Sequence, residues 1–174
     1  MENMKIVLLG YMGSGKTTIG RIVANHLGIK FLDLDEYIEE QEKMTVANIF
    51  RERGELYFRK KEREYLADIF LRKDNFVLSL GGGTPCFGDN MQLVNQQTKN
   101  SFYLNIHIDE LTNRLKQEKE HRPIIAHLAN EEVQEFIGKH LFERSYFYNM
   151  AHQKLKGNQR TPSALAEEII GMLV

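Results

Sequence analysis

Residues Gly10 to Thr17, GYMGSGKT, follow the apolar run KIVLL and precede a helical pattern, and they fit G-x-x-x-x-G-K-[ST]. Glycines let successive backbone N–H groups turn toward one anion, and the free N–H groups and dipole of a following helix favour negative charge there. In such a loop Gly13, Ser14, Gly15 and Thr18 supply backbone or hydroxyl donors. Lys16 is expected to reach the β- and γ-phosphates, and the Thr17 hydroxyl to ligate Mg²⁺. A nucleoside triphosphate site is the reading; the loop does not name the acceptor.

Candidates for an acceptor pocket come from four further stretches. In FLDLDEYIEE, Asp33 and Asp35 alternate with leucines, which puts both carboxylates on one side of a strand end. The alternative is a loop aspartate followed by a helix cap at Asp35. NFVLSLGGG carries Ser79 where a metal-orienting aspartate could stand, so Asp33 is the candidate for that charge, leaving Asp35 for a substrate hydroxyl. Arg59 and Glu62 fall in line with Leu56, Leu66 and Ile69, and Arg144 lies on a stripe with Val133, Ile137, Leu141 and Tyr148. Each arginine alone is equally a side chain snorkelling along apolar surface. Two of them beside an aspartate and a phosphate loop suggest a carboxylate guest gripped by guanidinium forks. Gly81, Gly82 and Gly83 are expected to allow a backbone shape closed to other residues and the close approach of a ligand.

KQEKEHRPIIAHLANEE (116–132) reads as a mobile flap in which Arg122 reaches the transferring phosphoryl group, or else as a solvated charged loop. In NQRTP (158–162), Arg160 and Pro162 could flank an adenine. Six histidines without ligand spacing give no zinc signature, and Cys86 lacks a base partner and reads as structural.

The elements that must position these groups alternate. Short apolar runs at 4–9, 30–34, 75–80, 101–106 and, weakly, 152–155 read as strands, with helical patterns between them, the first closed by Gly28. Other helical patterns run near 36–43, 46–52, 55–72, 89–97, 109–119, 132–150 and 163–173. Apolar strands alternating with helices imply a parallel sheet covered on both faces, with ligands beyond the strands' carboxyl ends. At 174 residues, without repeat or linker, one domain over 1–174 is expected. A balance of 23 basic and 24 acidic residues offers no global attraction for nucleic acid or a membrane surface, and no protein partner is indicated. A single cysteine, no signal-peptide pattern and no span-length apolar run point to the cytoplasm.

Taken in order, GYMGSGKTTIG, FLDLDEYIE, FRKKE, LSLGGGT, HRPII, RSYFYNMA and QRTPSA make the chain resemble the shikimate kinases, small P-loop kinases of the nucleoside monophosphate kinase superfamily. The resemblance runs from the first strand to the last helix. It implies a three-layer α/β/α P-loop kinase fold with a five-stranded parallel sheet in the order 2-3-1-4-5, an acceptor-binding region about 33–62 and a mobile lid about 112–127. It also implies transfer of the ATP γ-phosphoryl group to the 3-hydroxyl of shikimate, with Mg²⁺, in the pathway to chorismate and the aromatic amino acids. Carried onto these residues, Asp35 and Gly82 would hold ring hydroxyls, Arg59 and Arg144 the carboxylate, Glu62 would hold Arg59, and Asp33 would orient magnesium. Arg114 and Pro162 would sandwich the adenine, and Arg122 would enter from the lid. The lid departs from the family pattern, since EHRPII stands where a glycine more often precedes the arginine. Rival readings are a gluconate kinase, or a nucleotide-driven switch whose second pocket recognises a protein.

Overall fold

The computed structural model describes residues 3–174. Five strands, β1 (Lys5–Leu9), β2 (Lys30–Asp33), β3 (Phe76–Ser79), β4 (Asn100–Asn105) and β5 (Gln153–Lys156), form one sheet in the order β2-β3-β1-β4-β5, every neighbouring pair parallel. This is the order that the resemblance implied. Parallel neighbours require crossovers, and helices α1 (Lys16–Leu27), α2 (Leu34–Glu42), α3 (Val46–Arg53), α4 (Glu55–Phe70), α5 (Asn90–Gln97), α6 (Ile108–Gln117), α7 (Pro123–Ala126), α8 (Asn130–Tyr148) and α9 (Pro162–Gly171) supply them.

Alternation along β1 divides the core in two. Ile6 and Leu8 face a cluster with Val23, Phe102, Leu155 and Leu165, beneath α1 and α9. Val7 and Leu9 face the other cluster, with Leu34, Leu66, Leu78, Leu111 and Val133. Because both faces are covered, β1 and β3 read as unbroken apolar runs. Edge strand β5 buries only Leu155, which is why its pattern is faint.

Several boundaries and faces differ from the sequence expectation for local reasons. Asp33, not Asp35, caps α2: its Oδ1 accepts from the Glu36 N–H at 3.1 Å, so the helix starts at Leu34 rather than 36. Leu56 lies off the buried stripe of α4 at 89% exposure, whereas Phe58, Glu62, Leu66 and Ile69 are buried. Helix α8 begins two residues before the expected 132, where the Glu132 carboxylate accepts from the Ala129 N–H at 3.1 Å. Among the described residues no helix is long and apolar enough to cross a membrane.

Candidate active site

The phosphate loop leaves the carboxyl end of β1. Gly10, Gly13 and Gly15 have φ of +152°, +80° and +96°, a region that side-chain-bearing residues rarely enter. A Cβ on Gly10 would lie 2.9 Å from the Leu104 carbonyl oxygen. Lys16 folds back over the loop, its Nζ donating to the carbonyls of Gly10 at 2.7 Å and Tyr11 at 3.1 Å. Burial pushes its ammonium down to about 8, partly opposed by Asp35 and Asp33. The buried Ser14 hydroxyl has no hydrogen-bond partner among the described residues, as suits a loop whose partner arrives from outside.

Asp33 and Asp35 line the same cavity of about 320 Å³ as Lys16, Thr17, Gly82 and Arg122. They share it for a different reason from the strand alternation expected: the chain turns helical at Leu34, so Asp33 ends β2 and Asp35 lies in the first turn of α2. The Thr17 hydroxyl donates to Asp33 Oδ2 at 3.4 Å. A hydroxyl and a carboxylate are hard oxygen donors, and two protein ligands suit Mg²⁺, which keeps waters and takes phosphate oxygens. Among the described residues no hydrogen bond reaches the Asp35 carboxylate. Burial, then the charges of Asp33 and Glu62, pushes it up to about 6.

Gly81, Gly82 and Gly83 follow β3, and the reason expected for them is corrected: none of the three has positive φ. What they provide is room for side chains. A Cβ on Gly81 would lie 3.0 Å from Asp35 Oδ1, one on Gly82 3.2 Å from Arg144 Nη1, and one on Gly83 2.7 Å from Arg59 Nη2. Each glycine therefore seats one cavity-lining side chain. Arg59 donates from Nη1 to Glu62 Oε1 at 2.9 Å, and the opposite oxygen of Glu62 accepts from the Thr84 hydroxyl at 2.8 Å. With Glu62 buried, this pair fixes the guanidinium against α4. Arg144 forms no ion pair among the described residues and lies 5.9 Å from the Tyr11 ring centre. Beside it, the Tyr148 hydroxyl donates to the Gly82 carbonyl at 2.6 Å. Both arginines line a second cavity, of about 420 Å³, with Phe87, His140 and Cys86, whose thiol burial pushes up to about 11. A thiol pushed up by burial is protonated at neutral pH, which fits a structural reading of Cys86.

Arg122 sits between a 3-10 turn (119–121) and α7, and its Nη2 and Nε donate to Glu118 Oε2 at 2.9 and 3.2 Å at the cavity rim. Arg114 donates to the Gly13 carbonyl at 3.0 Å and pairs with Glu110. Arg160 is turned onto Glu168 and the Lys156 carbonyl and lines neither cavity, and Pro162 opens α9 in an exposed position. Sequence reasoning overlooked Phe87, Tyr11, Thr84 and Glu118. Tyr11 lies within the loop motif at a position the pattern leaves free, and Thr84 and Phe87 follow the glycines at no motif spacing.

The family model described as shikimate kinase matches residues 12–174. A relative from Flavobacterium johnsoniae named shikimate kinase is 44% identical, covering 97% of this chain and 98% of its own length. The crystal structure of shikimate kinase from Bacteroides thetaiotaomicron superposes with a TM-score of 0.89 at 38% identity, covering 97% of each chain. Shikimate kinase from Acinetobacter baumannii, in complex with shikimate, gives 0.85 at 33% identity, over 98% of this chain and 92% of that one.

Proposed function

The chain belongs to the shikimate kinase family and is an ATP-dependent small-molecule kinase; from that premise we propose that it converts shikimate and ATP to shikimate 3-phosphate and ADP, in aromatic amino acid biosynthesis. One observation carries the reading to this chain's own residues: a half-buried carboxylate without a hydrogen-bond partner among the described residues, Asp35, shares a cavity with the loop lysine, Lys16, and the rim arginine, Arg122.

The loop N–H groups of residues 13–18 hold the nucleotide phosphates, and Lys16 turns from its loop carbonyls to the β- and γ-phosphates. Arg59 and Arg144 grip the acceptor carboxylate from two sides, which fixes the ring over Gly81, Gly82 and Gly83. Asp35 then takes the attacking hydroxyl in a hydrogen bond and accepts its proton as the O–P bond forms; a carboxyl pushed up to about 6 is suited to that, being ionised at neutral pH yet more basic than a free carboxylate. Arg122 leaves Glu118 for the transferring group, whose charge it stabilises. Thr17 and Asp33 would hold Mg²⁺, which would neutralise phosphate charge when bound. Arg114, against the loop, and Pro162 border the adenine, with Arg160 joining them only if it leaves Glu168. We place the acceptor-binding region at about 33–62, the moving lid at about 112–127 of one domain, and the protein in the cytoplasm.

The test is ATP-dependent ADP release with Mg²⁺, comparing shikimate, gluconate, AMP and no acceptor, with Asp35→Asn alongside. Stimulation by shikimate alone, lost in the variant, supports the assignment. Turnover with gluconate, or equal turnover without acceptor, overturns it.

A further inference from the structure

Arg59 is the more deeply set of the two acceptor arginines, and its surroundings leave little of the guanidinium free. Its Nη1 is taken by Glu62, and Gly83 lies against its Nη groups so closely that even a Cβ would collide. Its buried Nε makes no hydrogen bond among the described residues and faces the Glu55 carboxylate at 3.7 Å. One planar face is covered as well: the Phe87 ring centre lies 3.8 Å from Cζ, against 5.1 Å for Phe58 and 5.8 Å for Phe50. Phe50 and Phe58 belong to the core under α3 and α4, but Phe87 comes from outside those helices.

Phe87 is held in place by the chain around it. The 3-10 turn 84–86 before it is tied to α4 through Thr84 and Glu62. After it, Gly88 turns the chain at φ +53°, and Asp89 takes two hydrogen bonds from Arg63, at 2.7 and 3.3 Å, one helical turn beyond Arg59. The segment is thus fastened to α4 on both sides of Phe87, and the ring also lines the cavity that holds both arginines. A ring stacked on a guanidinium stabilises the cation while leaving its in-plane donors free for a carboxylate.

We propose that Phe87 is a positioning residue for the acceptor: by stacking on Arg59 it fixes the plane of the guanidinium, so that the Nη2 donors meet the acceptor carboxylate in one orientation. The proposal rests on the carboxylate role given to Arg59 above. It follows that Phe87 governs acceptor binding and not the phosphoryl transfer or the nucleotide.

The experiment measures kcat and both Michaelis constants for Phe87→Leu, Phe87→Tyr and Arg59→Lys, with unfolding midpoints for each. Phe87→Leu keeps an apolar side chain but loses the π-face; it is expected to raise the KM for shikimate about three- to tenfold, with kcat and the KM for ATP within about twofold. Phe87→Tyr retains the face and is expected to restore the native KM. Arg59→Lys separates the two layers of the argument. If it leaves the shikimate KM unchanged, the carboxylate role of Arg59 falls and the proposal with it. If it raises that KM while Phe87→Leu does not, the proposal alone is overturned. A loss in Phe87→Leu confined to kcat, or shared equally by both substrates, also overturns it, because that is what general loosening of the fold produces.

Discussion

Replacing Asp35 by Asn is expected to stabilise the unliganded protein while abolishing turnover, and the gain should grow with pH. The carboxyl is held up from 3.8 to about 6 by burial and by the neighbouring charges of Asp33 and Glu62. For an acid with a raised folded pKa, ionisation opposes folding: the penalty is absent below the unfolded value, develops between the two values and is complete above the folded one. Each tenfold change in proton affinity is worth about 1.4 kcal/mol, so the full penalty near pH 8 has a ceiling of about 3 kcal/mol, of which roughly half remains at pH 5. Asp35 borders a cavity open to water, and screening brings the expectation to about 1 to 3 kcal/mol. For a chain of this size that is a rise in Tm of roughly 2 to 4 °C per kcal/mol. Thermal and urea unfolding of both proteins at pH 5 and pH 8, without nucleotide, reads the effect directly. A gain equal at the two pH values, or a variant less stable than the native protein at pH 8, would refute the electrostatic account of this carboxylate.

The same two groups shape the pH–rate profile. On the roles proposed above, transfer requires Asp35 ionised and nucleotide capture requires Lys16 protonated, so kcat/KM should fall as pH drops through about 6 and again as it rises through about 8; a flat profile from pH 5 to 9 removes both from the rate. Gly83→Ala puts a methyl group 2.7 Å from Arg59 Nη2. The fold should survive, because the far end of a side chain can move, and the shikimate KM should rise roughly tenfold or more with the ATP KM little changed; equal rises for both substrates would count against the seat described for this glycine. Glu118→Gln releases Arg122 from a partly exposed pair of the kind worth about 0.2 to 1 kcal/mol, and should lower the ATP KM up to about fivefold. If the same change appears in an Arg122→Ala background, the effect is not the pair's.

Much of this was legible in the sequence because the parts that announce themselves obey local rules. The strand, loop and helix from Lys5 to Leu27 are dictated by apolar burial and by glycines that must take positive φ, so periodicity and motif sufficed. The order of the sheet depends on which crossover packs where, and came only from the resemblance. Asp33 and Asp35 line one cavity, but not by the strand alternation expected of them, since the start of α2 at Leu34 exchanges a strand rule for a helix cap. Gly81, Gly82 and Gly83 were noticed for conformational freedom they do not use, and Phe87 was not noticed at all. Both errors have one cause: the partners of these residues lie on α2, α4 and α8, more than twenty positions away, and contacts at that separation leave no period in the sequence.

Asp33, Ser79 and Leu8 stand on one rung of the sheet, paired across three neighbouring strands. Asp33 thus stands level with the residues from which β3 leads toward the three glycines and β1 into the phosphate loop. Neighbouring strands lie about 4.8 Å apart, so the spacing of the strand ends that carry Asp33, the three glycines and the phosphate loop is gauged by backbone hydrogen bonds, like a caliper whose jaws are set by the ladder. Side chains on α2, α4 and α8 can change without moving those strand ends, so the lining of the pocket and the spacing of its floor are set by separate parts of the chain.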